Sequence, residues 1–392
     1  MCSSVAGVPP LGGATGRCST DFDRRAPKKS ALDANPARPG KCVPARRLKA
    51  ELQRALQQRL ELLAGQFAVD VLGFAIMSNH IHLVARNRPD IVANWSDEEV
   101  ARRWWNIFPK RKNEDGTPAE PNDFDLLVIT ADPIRLAEIR RRMSSISWFM
   151  RCLVEPIARL ANREDACSGR FWQGRFFSQK LLDDAALLAC LAYVDLNLVR
   201  AGIAPTPEAS QYTSVYERVR ALKTPAAPSE LEPMAKVPEN NIIPPPIDIT
   251  VRDTEKDAKA DATKTGSRAE WLSPFELSET AAVAPVPAAR ASNKGCLAMP
   301  FAEYLQILDW TGRTWRSDKR CAIPDGLAPI LERLALTDES WMNLVRDFRR
   351  KFRRAAGTPE SMKNEAEKHG CRKMYGIGHS RAIFDKPPQS SA

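Results

Sequence analysis

The sequence has no apolar run of about 18 residues, so no membrane-spanning helix is expected in its 392 positions. Its opening, MCSSVAGVPPLGGATG, lacks the basic and apolar regions of a secretory leader, and a cytoplasmic protein is expected. The nine cysteines form no CxxC pair and keep no regular spacing, which argues against a disulfide framework or a cysteine-rich zinc site. No GxxxxGK[ST] phosphate loop occurs, so nucleotide hydrolysis through that motif is excluded. Acidic residues number 48 against 58 Lys and Arg, and a net charge of +10 points to a polyanionic partner, nucleic acid above all. Histidine and tyrosine are scarce, at four and five. Any place where they gather is informative.

Residues 1–45 are rich in Gly, Pro, Ser, Ala and Arg without periodicity, and read as a disordered or degenerate segment that offers no strand. A helix is expected at about 46–67, with Leu48, Leu52, Leu56, Leu60 and Leu63 on one stripe. A strand carrying two histidines follows at about 69–86. Ser96 with Glu99 predicts a capping box that opens the next helix. KRKNEDGTPAEPND reads as a loop, 134–162 as a long helix or helix pair, GRFWQGRFFSQKLL as a short strand, and Asp183 to Val199 as a helix. Seven prolines fall between 224 and 246, and the charged stretch TEKDAKADATKTGSRA comes soon after. Helical periodicity returns from about 299 to 356. The expected organisation is an N-terminal segment (1–45), an α+β domain (46–220), a linker (221–270) and a small helical C-terminal unit (271–392).

The pattern MSNHIHLV places His80 and His82 two residues apart. Strand side chains alternate faces, so both would project from one face, roughly 7 Å apart along the strand. Two imidazoles so placed can reach one ion, and they can equally be satisfied by local hydrogen bonds at a sheet edge. Tyr193 and Asn197, four residues apart, would share one face of the 183–199 helix. That pair alone also fits a tyrosine packed on the sheet beside a plain polar residue.

Taken together and in order, MSNHIHLV, SSISWFMR (144–151), GRFWQGRF (169–176) and YVDLNLVRAGIA (193–204) resemble the HUH single-tyrosine transposases. These are the insertion-sequence-200-like enzymes and their relatives associated with repeated palindromic sequences. The likeness covers about residues 46–220, and RASNKGCLAMPFAEYLQILDWTGR is similar to the tail of the longer members. The resemblance implies a mostly antiparallel, ferredoxin-like sheet of the HUH endonuclease type with packed helices. It implies His80, His82 and Asn197 as ligands of Mg²⁺ or Mn²⁺ and Tyr193 as the nucleophile toward single-stranded or hairpin DNA. A homodimer is expected as well. Three departures stand out: the family's opening aromatic strand is missing from residues 1–45, Leu198 replaces an Asn-Pro step, and Gln173 stands where Glu is common. They raise the alternative of an inactivated or domesticated hairpin-binding protein.

Residues 134–170 hold eight arginines, no lysine and four acidic residues. Arg140, Arg141 and Arg142 form a compact cluster suited to phosphate oxygens. Arg170, Trp172, Arg175 and Phe177 interleave charge and rings in a way that would grip phosphates and stack bases, although Trp172 equally suits the core. The basic run FRRKFRRAA at 348–356 reads first as a solvated helix face.

Overall fold

The computed structural model describes residues 3–8, 50–166, 168–172, 176–223, 269–278, 285–315, 337–371 and 374–384. Strands β1 (Ser3–Val8), β2 (Val69–Ile76), β3 (Ile81–Asn87), β4 (Phe177–Leu181) and β5 (Ala355–Ala356) form one sheet in the order β2-β3-β1-β4-β5. Every pairing is antiparallel except that of β4 with β5. With its helices the chain is α+β. No helix among the described residues is long and apolar enough to cross a membrane.

Two sequence expectations need correction. Residues 3–8 do form a strand, and a central one, hydrogen-bonded to β3 on one side and β4 on the other. SSVAGV is too short to show a period, and its partners lie far along the chain, so only the assembled sheet reveals it. The histidine stretch is not one strand but a hairpin. Met77 N–H donates to His80 O at 2.8 Å, and Ser78-Asn79 form the turn between β2 and β3. His80 therefore lies in the turn just before β3, and His82 is the second residue of β3.

Both faces of the sheet are covered. One face packs on α1 (Ala50–Gln66), α2 (Pro89–Ala93), α3 (Asp97–Ile107), α4 (Asp123–Thr130), α5 (Pro133–Met143) and α6 (Ile146–Glu164). Leu52, Leu56, Leu60 and Leu63 of α1 are buried there, while Leu48 lies outside the described residues. Ser96 caps α3 by accepting from Glu99 N–H, but Glu99 turns its carboxylate to Arg103 instead of closing the box. The reciprocal box stands on α4, between Asn122 and Asp125.

The other face packs on α7 (Asp184–Asp195), α8 (Asn197–Arg200), α9 (Ser214–Lys223), α10 (Phe301–Trp315), α11 (Asp338–Lys351), α12 (Pro359–Lys368) and α13 (Ile377–Phe384). Leu191 and Val194 of α7 share one core with Tyr304, Ile307, Trp341, Phe348 and Phe352. The C-terminal helices thus roof the same sheet, to which β5 adds an edge strand. Most of the expected linker lies outside the described residues; α9 reaches into it as far as Lys223.

A bulge in β2 sets the sheet's facing. The register slips between Val71 and Gly73, so Leu72 and Gly73 both meet the α7 side. Arg218 Nη2 donates to the Leu72 carbonyl at 2.9 Å, serving the acceptor that the bulge takes from the ladder.

Candidate functional site

Alternation along β3 sends Ile81, Leu83 and Ala85 to the α1 side and leaves His82 and Val84 on the α7 side. His82 is only 3% exposed; His80, at the hairpin's mouth, is half-buried. The two Nε2 atoms stand 2.9 Å apart, and His80 Nδ1 lies 2.6 Å from Asn79 Oδ1. Burial holds His80 down to a pKa of about 4, with the Arg349 and Arg200 guanidinium groups pushing the same way. His82 is driven well below its ordinary value by burial first, then by His80, Arg349 and Arg200. Both imidazoles are therefore neutral near pH 7.

Tyr193 meets this pair from α7, a helix that is buried all round. Its ring stands edge-on to His82, with centroids 5.5 Å apart, and Phe348 of α11 lies 6.3 Å away on another side. The helix does not run unbroken to Asn197: Leu196 interrupts it, and Asn197 opens the short α8. Arg200 rejoins the pair. Its Nη2 donates to the Tyr193 hydroxyl at 3.2 Å and to Asn197 Oδ1 at 3.2 Å, and its guanidinium lies 4.5 Å above the Tyr193 ring. Asn197 Nδ2 is buried with no partner, an orphan that a hydrogen-bonding ligand could satisfy.

The donor set fits a divalent cation in part. With metal–nitrogen bonds of about 2.1 Å, two ligands at a right angle place their nitrogens about 3 Å apart, close to the spacing of the histidines. The same spacing suits one neutral ring donating to the other. Among the described residues no group of three His, Cys, Asp or Glu gathers, so an amide oxygen would have to complete the set. Such a set carries no negative charge.

One buried carboxylate escaped the sequence reading. Asp195, 1% exposed, accepts from Ser214 Oγ at 2.6 Å, from Val215 N–H at 3.2 Å and from the Tyr304 hydroxyl at 2.6 Å. It ties α7 to α9 and α10 and so fixes the helix that carries Tyr193. Burial raises its pKa, and the bonds from Ser214 and Tyr304 oppose that rise. The only signal was an Asp within an otherwise apolar helix.

The expected basic cluster is elsewhere. Arg140, Arg141 and Arg142 end α5 on the other side of the sheet, and their guanidinium groups are engaged within the chain. Arg140 donates to the carbonyls of Val92 and Trp95, each at 2.7 Å, and to Asp97. Arg141 and Arg142 both pair with Glu138, and Arg142 also covers the Trp148 ring. Trp172 is a core residue that donates to the Val154 carbonyl at 2.8 Å and packs on Phe171, so no base can stack on it. Arg170 is exposed, and Arg175 lies outside the described residues. The basic run read as a solvated face is exposed at Arg349 and Arg350, and the Arg349 charge bears on the histidines.

No family model matches the sequence, and no curated protein does. Among solved structures, a REP-associated tyrosine transposase bound to a REP hairpin is similar over 57% of this chain and 82% of that chain. The identity is 9% and the TM-score 0.29, too loose to match residue with residue.

Proposed function

We propose that this chain binds single-stranded or hairpin DNA and cleaves and rejoins it through a covalent phosphotyrosine on Tyr193. The observation that supports this most is the meeting of His80, His82, Tyr193 and Asn197, from distant stretches of sequence, in one chain of contacts beside two arginines. On this reading the sheet is a ferredoxin-like HUH endonuclease core, and the protein acts in the cytoplasm as a homodimer.

His80, His82 and Asn197 would hold Mg²⁺ or Mn²⁺, whose part when bound is to polarise the scissile phosphate and orient it. Arg200 and Arg349 oppose a bare cation there, so a phosphate oxygen is expected to complete the binding. The Tyr193 oxygen bonds to phosphorus as the bond from phosphorus to the 3′ oxygen breaks. The phenol proton leaves to water, and the 3′ oxygen takes one up. Arg200 holds the Tyr193 oxygen in place. Phenol ionises near pH 10, far more readily than a sugar hydroxyl, so the adduct keeps the energy of the broken bond. A strand's 3′-OH can then reverse the step without a nucleotide.

A second reading, hairpin binding without catalysis, draws on the 7% exposure of Tyr193 and on Arg200 holding both its hydroxyl and Asn197 Oδ1. The two separate in one experiment. The full chain is incubated with a labelled hairpin and Mn²⁺ and run on a denaturing gel. Catalysis predicts a covalent protein–DNA band that is lost entirely in Tyr193→Phe and on chelation. DNA binding without any such band establishes the second reading.

A further inference from the structure

The C-terminal helices reach the site through α11. Phe348 and Phe352 are buried in the core shared with α7, which fixes the roll of α11 against the helix of Tyr193. That roll leaves Arg349 exposed at the rim. The other cations of α11 are committed: Arg346, Arg350 and Lys351 all lean on Asp347. Among the described residues Arg349 has no carboxylate partner. Its guanidinium sits instead 5.9 Å from the ring centroid of Phe177, an aromatic side chain that is 40% exposed at the start of β4.

The sheet's register explains why Phe177 belongs to the same place. Gly7 of β1 pairs with His82 on one side and with Phe177 on the other, so the three share one row. Residues in one row point to one face, and two strand spacings put His82 and Phe177 about 10 Å apart. The residue between them is a glycine, which adds no side chain to that gap. One row of the sheet therefore runs from His82 to an exposed ring with a cation over it.

We propose that Arg349 and Phe177 form a strand-binding station, in which Arg349 grips the phosphate beside the scissile one and Phe177 stacks the base of that nucleotide. The station rests on the reading of the site as one for single-stranded DNA. Arginine suits the phosphate because its planar fork matches two oxygens, and an aromatic ring accepts any base because every base has a π face. It also gives the C-terminal helices a task in DNA binding beyond covering the sheet.

The test measures affinity of the full chain for a short single-stranded oligonucleotide by fluorescence anisotropy over a range of salt. Arg349→Gln should weaken binding about tenfold and reduce the slope of log affinity against log salt by about 0.7, the share of one phosphate on a single strand. Arg349→Lys should keep the slope. Phe177→Leu should lose affinity with the slope unchanged, because stacking releases no counterions. Arg350→Gln should bind as the wild type does. Tyr193→Phe should form no adduct. If Arg349→Gln and Phe177→Leu, folded by thermal melt, bind as the wild type while the wild type still forms its adduct, the station is wrong and the cleavage reading stands. If they weaken binding but the wild type forms no adduct, the station stands and cleavage falls. If the wild type does not bind a single strand at all, both fall.

Discussion

The imidazole pair owes its character to where it sits. His80 is held at about 4, while a histidine in the unfolded chain titrates near 6.5. Between those values the unfolded chain carries a proton that the folded chain refuses. Its stabilising contribution is thus present above about pH 6.5 and is lost as pH falls toward 4. His82 is shifted in the same direction and adds to the loss. Melting temperature, measured with chelator present, should fall steadily from pH 7 to about 4.5. In His80→Gln it should fall less steeply, because one of the two titrating groups is gone. Equal slopes in the two proteins would mean that the fold does not keep His80 neutral. Three of the site's key residues were not legible in the sequence: Arg200, Asp195 and Arg349. Each works through partners far along the chain or, for Arg200, across a helix break. The histidines and Tyr193 could be singled out because His-Ile-His and Tyr193 with Asn197 are local patterns, although His80 precedes β3 and a break at Leu196 parts Tyr193 from Asn197.

At the scale of elements, the sequence showed the helices better than the strands. The leucine stripe of α1 appears from Leu52 on, and Ser96 caps α3 although the box with Glu99 stays open. Reading Val69 to Arg86 as one strand failed because Ser78-Asn79 is a weak turn signal inside an apolar run. The bulge at Leu72 was hidden for a related reason, since an all-buried strand shows no alternation to interrupt. Its glycine has a definite task. A β-carbon on Gly73 would stand 2.6 Å from Leu191 Cδ2 of α7 and 3.2 Å from Ser214 Oγ. Gly73→Ala must therefore displace the Leu191 side chain, and in this filled core it is expected to strain the packing of α7 on the sheet. Overpacking of this kind costs about 1–3 kcal/mol. Urea unfolding should report that loss, and on the proposed function adduct formation should fall with it because α7 carries Tyr193. Unchanged stability would show that Leu191 finds another rotamer without cost.

At the scale of the molecule, one sheet is held together by segments from both ends of the chain. β1 supplies a strand between β3 and β4, and β5 supplies the edge beyond β4. β1 is the more consequential of the two. It pairs with β3 from Ser3↔Arg86 to Val8↔Ile81 and with β4 from Ser3↔Leu181 to Gly7↔Phe177, so its removal uncovers two ladders at once. Each buried backbone group left unpaired costs about 1–3 kcal/mol, against a total stability of roughly 5–15 kcal/mol. Deleting residues 1–8 should consequently abolish cooperative unfolding, and it would also part His82 from Phe177 by removing Gly7 from their row. A gentler variant, Val5→Pro, removes one amide from a strand bonded on both sides. It should lower the melting temperature sharply while leaving a folded fraction in which DNA affinity can still be measured. Scanning calorimetry on the two variants and the wild type decides the matter. A truncated chain that melts as sharply and as high as the wild type would mean that β3 and β4 close on each other without β1, and the row from His82 to Phe177 would then have to be redrawn.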